Sequence, residues 1–179
     1  VVGGSDNVAT RDWTFVGGGR RNAAAAIYGA VGGGSNNKVE ASWGIVGGGW
    51  SNTVYSPYST VGGGCLNIAY GYLSTVGGGQ YNTVYGAYCA VGGGNGNTVY
   101  YDWGTVGGGY GNTVYLHYGT VGGGSGNSVY QDYGTIGGGH GNQVDGLYAT
   151  IGGGTSNFAA GDLSVVMGSY GEALHESSA

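Results

Sequence analysis

A chain of 179 residues with 47 Gly, one Pro and 7% charged side chains is no helical bundle, because each Gly in a helix costs roughly 1 kcal/mol. Nor is it collagen, since the glycines lack the every-third-residue spacing and the Pro content; 17 Tyr, 4 Trp and 2 Phe carry more apolar area than a flexible Gly-rich linker, which points to order. The formal charge is −5, with bases only at Arg11, Arg20, Arg21 and Lys38 and most acids toward the C-terminus, so no basic surface exists for nucleic acid.

The chain opens on Val1-Val2-Gly3-Gly4, and Val-Gly-Gly-Gly then starts at Val16, Val31, Val46, Val61, Val76, Val91, Val106 and Val121, with Ile-Gly-Gly-Gly at Ile136 and Ile151. The interval is always fifteen residues, without insertion. Counting from Val1 gives eleven full units and a fourteen-residue twelfth, Val166 to Ala179, so one repeat domain spans 1–179. Fifteen residues are too few for a helix-turn-helix repeat, and the β-branched columns favour strands. Each unit is therefore one coil of an all-β, single-domain parallel β-solenoid of about twelve 15-residue coils. At about 4.8 Å per coil the rod is roughly 55 to 60 Å long. Within a unit, one strand is predicted from position 15 to position 3 and a second from 7 to 10, with a tight turn at 4 to 6.

The columns define the rest. Position 1 is Val or Ile, and position 9 is Ala or Val in the full units, with Leu174 in the twelfth. Position 7 is Asn in every full unit, from Asn7 through Asn22, Asn37, Asn52, Asn67, Asn82, Asn97, Asn112, Asn127, Asn142 and Asn157; a ladder of amides that donate to one neighbouring rung and accept from the other explains it better than a ligand set. Position 13 is aromatic at Trp13, Tyr28, Trp43, Tyr58, Tyr88, Trp103, Tyr118, Tyr133 and Tyr148, and Leu at Leu73 and Leu163, while position 14 is always small. If positions 13 to 1 are extended, the aromatics and valines point to opposite sides, so both cannot fill one narrow core. An uncovered aromatic stripe of that length exceeds what a soluble monomer exposes and argues for side-by-side association; a bend at position 14 would instead turn both inward. In the twelfth unit, Val166-Met167-Gly168-Ser169, Glu172 replaces the column Asn, as expected at a cap or junction.

The triple Gly precedes neither a helix start nor a Lys, so close backbone approach or positive φ accounts for it better than phosphate binding, and it implies a backbone or large side chain packed over the strip. Cys65 and Cys89 are too few to staple the fold and give no metal spacing, so both are incidental. No apolar run is long enough to span a bilayer, which excludes membrane insertion within this segment, and the start at Val1 without Met or signal peptide suggests a processed chain or a fragment. No cofactor is expected.

On these residues, typified by Val106 to Thr120, the chain resembles the β-roll repeats of trimeric autotransporter adhesin heads. It is still more similar to the fifteen-residue Gly-Gly-Gly-x-x-Asn variant in bacterial surface and tail-fibre-like proteins. The resemblance implies a left-handed β-roll, a homotrimer, and a place at the cell surface or outside the cell as a stalk, fibre or adhesive head. The chain departs from the adhesin heads in its fifteen rather than about fourteen residues per coil. Their neck, coiled-coil stalk and anchor do not occur in these residues. Its Tyr at position 10 (Tyr55, Tyr70, Tyr85, Tyr100, Tyr115 and Tyr130) is bulkier than the small residues usual there.

The leading expectation is a structural or adhesive extracellular fibre module whose partner is itself, with surface glycans or matrix as further candidates. If it binds a ligand, the six position-10 tyrosines form the strip on which sugars could stack; the alternative is a ladder that only stabilises neighbouring rungs or an interchain seam. The alternative function is an ice-binding solenoid, because Thr recurs at position 15 (Thr60, Thr75, Thr105, Thr120, Thr135, Thr150) and at position 8 (Thr53, Thr83, Thr98, Thr113), in a pattern similar to some insect antifreeze proteins. Those use paired Thr-x-Thr on one face, whereas these columns are eight residues apart. An enzyme is not expected. Asp102, Asp132 and Asp162 share position 12 around His117, with about 9.6 Å between acids two rungs apart, near the range of inverting glycosidases. Ile27, Pro57, Tyr72 and Leu147 in the same column make it a permissive surface. No column holds an acid in successive rungs, which excludes a calcium-binding repeat, and no glycosylation sequon occurs.

Overall fold

The structure, a computed structural model, describes residues 1–174. All of its regular elements are strands of two residues, arranged as a parallel β-solenoid. Positions 8 and 9 form a twelve-stranded sheet from Val8–Ala9 to Glu172–Ala173, and positions 15 and 1 form an eleven-stranded sheet from Phe15–Val16 to Val165–Val166. Up to the last coil, each strand residue pairs with the one fifteen further on, as Val76 with Val91 and Val84 with Val99. The strands are shorter than the spacing of apolar residues predicts. A third line of parallel bridges runs through position 5, from Ser5 to Thr155, in the middle of the expected turn.

Left-handed corners cut the strands short. Position 13 takes φ of 52° to 62° whatever its side chain, including Trp13, Tyr58 and Leu163; position 6 does the same, as at Ser51 and Tyr81; and the position-4 glycines lie at 86° to 97°. A left-handed conformation costs a residue with a Cβ roughly 1–2 kcal/mol. What offsets it is hydrogen bonding along the rod. Strand N–H groups donate to the following coil, as Thr53 does to the Asn67 carbonyl at 2.9 Å. The corners reverse the peptide and donate to the preceding coil, as Tyr118 does to the Asp102 carbonyl at 3.1 Å and Tyr81 to the Cys65 carbonyl at 3.0 Å. Both axial directions thus satisfy backbone groups that a narrow coil would otherwise strand.

The interior is filled by positions 1, 7, 9 and 14. Val31, Val39, Val46 and Val54 are fully buried, as are their counterparts along the rod through Ile151 and Ala159. Position 14 must be small because it faces the position-9 valines: a Cβ on Gly119 would press into the Cγ1 atoms of Val114 and Val129. So tight a section excludes rings. Position 13 therefore turns its aromatics outward, and Tyr58, Trp103 and Tyr148 remain 50%, 44% and 49% exposed. The separation of aromatics from valines holds, and among the described residues nothing covers the aromatics.

The twelfth coil corrects the residue count. Phe158 pairs with Glu172 and Ala159 with Ala173, so one position is missing within the glycine run. Ala173, not Leu174, continues the position-9 column, and Glu172 sits at position 8, outside the Asn column. Gly171 occupies the Asn position and donates its N–H to Asn157 Oδ1 at 2.8 Å. Tyr170 makes the left-handed corner, φ 58°. The strand pairing thus fixes what counting from Val166 misplaces by one residue.

Candidate binding and packing faces

The Asn column is structural and buried from Asn22 to Asn157. Each Oδ1 accepts the backbone N–H of the next Asn, as Asn82 does from Asn97 at 3.0 Å. Each Nδ2 donates to a glycine carbonyl of its own coil and to one of the next, as Asn82 does to Gly78 and Gly94, both at 2.9 Å. Amide-to-amide bonds supplement this at Asn52, Asn67, Asn97, Asn127 and Asn157. The ladder is therefore mainly a tie between side-chain amides and the backbone of the glycine run, where the sequence suggested amides pairing with each other.

Close approach of successive coils explains two of the three glycines. At position 4 a Cβ would overlap the next coil's position-4 carbonyl and crowd the Asn Nδ2, as at Gly64 against Gly79 and Asn67, and at position 2 it would overlap the next coil's position-2 carbonyl, as at Gly62 against Gly77. The backbone packed over these glycines is the chain's own. Position 3 differs. A Cβ there meets nothing closer than 3.8 Å along the rod.

Two aromatic ladders stand on either side of the corner at positions 11 to 13. At position 10, Tyr55, Tyr70, Tyr85, Tyr100, Tyr115 and Tyr130 stack with centroids 4.4 to 5.3 Å apart and planes within 10°. Stacking uses the ring faces, so the ladder presents edges and hydroxyls outward rather than the flat faces that sugar stacking needs. At position 13 the stack runs from Trp13 to Tyr58 and from Tyr88 to Tyr148, with centroids 3.9 to 6.1 Å apart. Leu73 should break it. Tyr72, from position 12, fills the gap by lying edge-on to Tyr58 at 5.8 Å and to Tyr88 at 5.9 Å. The position-13 ridge is thus continuous over ten coils.

Position 12 is less permissive than its composition implies. Asp102, Asp132 and Asp162 each accept, at 2.8 Å, the backbone N–H of the residue fifteen positions earlier, respectively Ala87, His117 and Leu147. The carboxylates that drew attention as a pair of acids are thus tied to the backbone. At position 14, Ser59 and Ser74 donate to the Gly71 and Gly86 carbonyls at 2.6 and 2.8 Å and accept the N–H of the next residue in the column, and Cys89 follows Ser74 there, 2% exposed. Cys89 is therefore a core residue, and burial pushes its thiol up to about 11. Cys65 is half-buried at position 5, 3.9 Å from Gln80 Nε2.

The two Thr columns belong to different sheets, position 8 to the twelve-stranded and position 15 to the eleven-stranded one. Among the described residues no group of three His, Cys, Asp or Glu could hold a metal, no pocket indents the surface, and no helix is long and apolar enough to cross a membrane. No protein-family model matches the chain, and no curated protein matches it.

Proposed function

We propose that this chain is a structural and adhesive module of an extracellular fibre or surface appendage, comparable in role to the adhesin heads its repeats resemble, and that it works by associating with copies of itself along its length. The observation that carries this reading is the pair of aromatic ladders exposed along the same corner for six and ten coils. An apolar surface of that extent on a soluble rod calls for a partner equally long and straight. A homotrimer, or a longer lateral assembly, supplies one.

The uniform coil suits the role. Neighbouring coils bind through the same backbone ladder and Asn ties, so stability is spread along the rod. Native mass measurement combined with electron microscopy tests the proposal. Discrete oligomers or laterally joined rods are the expected outcome, and monomers at high concentration would refute it.

A further inference from the structure

The position-13 ridge is the longest apolar surface the coil leaves uncovered. Its nine aromatic residues run from Trp13 to Tyr148 and stay 39% to 76% exposed. A buried Tyr or Trp removes roughly 150–250 Å² from water, so nine half-open rings offer on the order of 700–1,000 Å². That is comparable to the roughly 800 Å² per partner of a standard interface. The occupant must be straight, apolar or neutral, and one coil in period.

The geometry points to a second copy of this chain as that occupant, with the ridge of one copy seated on the glycine strip of the other. The inference rests on the lateral association proposed above and names the surfaces that meet. Three observations support the match. The strip has the ridge's period and length, with a Gly triplet in each coil from Gly17 to Gly154, and no charge. It is largely exposed, with its position-3 glycines half-buried. At position 3, finally, the glycines leave room for a side chain inside one chain: a Cβ on Gly33 meets nothing within 4 Å, the Gly63, Gly78 and Gly93 sites approach only a neighbouring carbonyl at 3.8 to 4.0 Å, and at none of these four does φ enter the left-handed region, whereas Gly18, Gly108 and Gly153 take φ of 152° to 159°. A side chain there would fit the coil yet hold an approaching ring away.

Such a contact is heterologous, ridge to strip, so each copy keeps one unused surface until a ring closes or a ribbon grows. The test uses the full chain and two triple variants. One is Gly63→Ala with Gly78→Ala and Gly93→Ala; the other is Tyr88→Ser with Trp103→Ser and Tyr118→Ser. Native mass measurement across a concentration series should show the unmodified chain associated and each variant at least tenfold weaker. Mixed, the two variants should form a one-to-one pair, because each retains the half the other lacks. A wild-type chain that stays monomeric overturns both lateral association and this contact. A wild-type assembly that the alanine variant preserves overturns the contact alone. An alanine variant that loses the β circular-dichroism signal shows position 3 to be closed within the chain and removes the inference. If neither variant associates alone and the mixture yields no pair, the contact is not ridge to strip.

Discussion

Asn97 is joined to Asn82 twice: its backbone N–H reaches Asn82 Oδ1 at 3.0 Å, and its Nδ2 reaches the same oxygen at 3.1 Å. Asn97 repeats the service for Asn112, whose N–H lies 2.9 Å from its Oδ1, and its Nδ2 also binds the Gly93 and Gly109 carbonyls at 2.9 and 3.0 Å. One amide therefore ties three successive coils together.

Replacing Asn97 with Ala leaves the buried Asn112 N–H without a partner and the glycine carbonyls with one fewer donor. At about 1–3 kcal/mol per unsatisfied buried group, Asn97→Ala should cost about 2–5 kcal/mol in denaturant unfolding. The neighbouring Asn95 is the control. It lies at position 5 and makes one side-chain bond, to Gln80 Oε1 at 3.3 Å, so Asn95→Ala should stay within about 0.5–1 kcal/mol of the parent chain.

Two glycines of one triplet should respond differently. A Cβ on Gly77 overlaps the Gly92 carbonyl oxygen, so Gly77→Ala forces two coils apart and should destabilise by several kcal/mol, above the ~1 kcal/mol typical of a point substitution. Gly78→Ala has room, 4.0 Å from the Gly63 carbonyl oxygen. The single variant should melt within about 1 kcal/mol of the parent, since less unfolded-chain entropy is then lost on folding. Thermal unfolding of the pair at a concentration where both are monomeric separates these effects from association.

The period, the parallel stacking and the inward valines were legible because each is a repetition, and identical residues one coil apart must lie side by side. The Asn column was legible for the same reason, although its partners were not: nothing in eleven aligned Asn residues says that their Nδ2 groups seek glycine carbonyls. Corners left less trace. Trp103 and Tyr81 adopt a conformation usually met by Gly or Asn, and only the axial hydrogen bonds of the assembled rod make it affordable. The fate of Tyr72 was hidden too, since its value comes from the absence of a ring at Leu73 one position on. The displaced twelfth coil shows the limit of counting, because a one-residue loss within the glycine run moves Glu172 and Ala173 into columns that only strand pairing reveals.

The Asp residues at position 12 supply a local test. Asp132 Oδ1 caps the His117 N–H at 2.8 Å from a half-buried site. Asp132→Ala should cost about 1 kcal/mol, the net value of one such bond. Asp132→Asn retains an acceptor oxygen and should recover most of it. Equal losses in the two variants, measured by urea unfolding, would show that charge rather than the hydrogen bond matters.

The two cysteines should differ in reactivity. Thiolate, not thiol, attacks a disulfide reagent; Cys89 is 2% exposed, and burial pushes its thiol up to about 11, with the Tyr101 carbonyl 3.1 Å from its Sγ. Titration of the native chain with a chromogenic disulfide near pH 8 should release one equivalent promptly, from half-buried Cys65, and a second only on unfolding. Cys89→Ser should remain folded, because Ser74 already makes the equivalent hydroxyl bond to Gly86 one coil earlier.

Alkali should loosen the ladders in a defined window. Tyr70 and Tyr115 in the position-10 ladder and Tyr133 in the ridge have phenols held above the ordinary value of 10, first by desolvation within the stack and then by stacked tyrosine neighbours. A folded chain that holds these protons more tightly than the unfolded chain is favoured fully below pH 10, and the advantage falls as pH rises through the unfolded value toward the higher folded ones. Stability should therefore be insensitive to tyrosine ionisation at neutral pH and decline above about pH 10. Phenolate absorbance followed alongside circular dichroism should show these tyrosines ionising later in the native chain than in urea. Replacing Tyr70, Tyr115 and Tyr133 with Phe should reduce that alkaline loss, because a ring without a hydroxyl keeps the stack and has nothing to ionise.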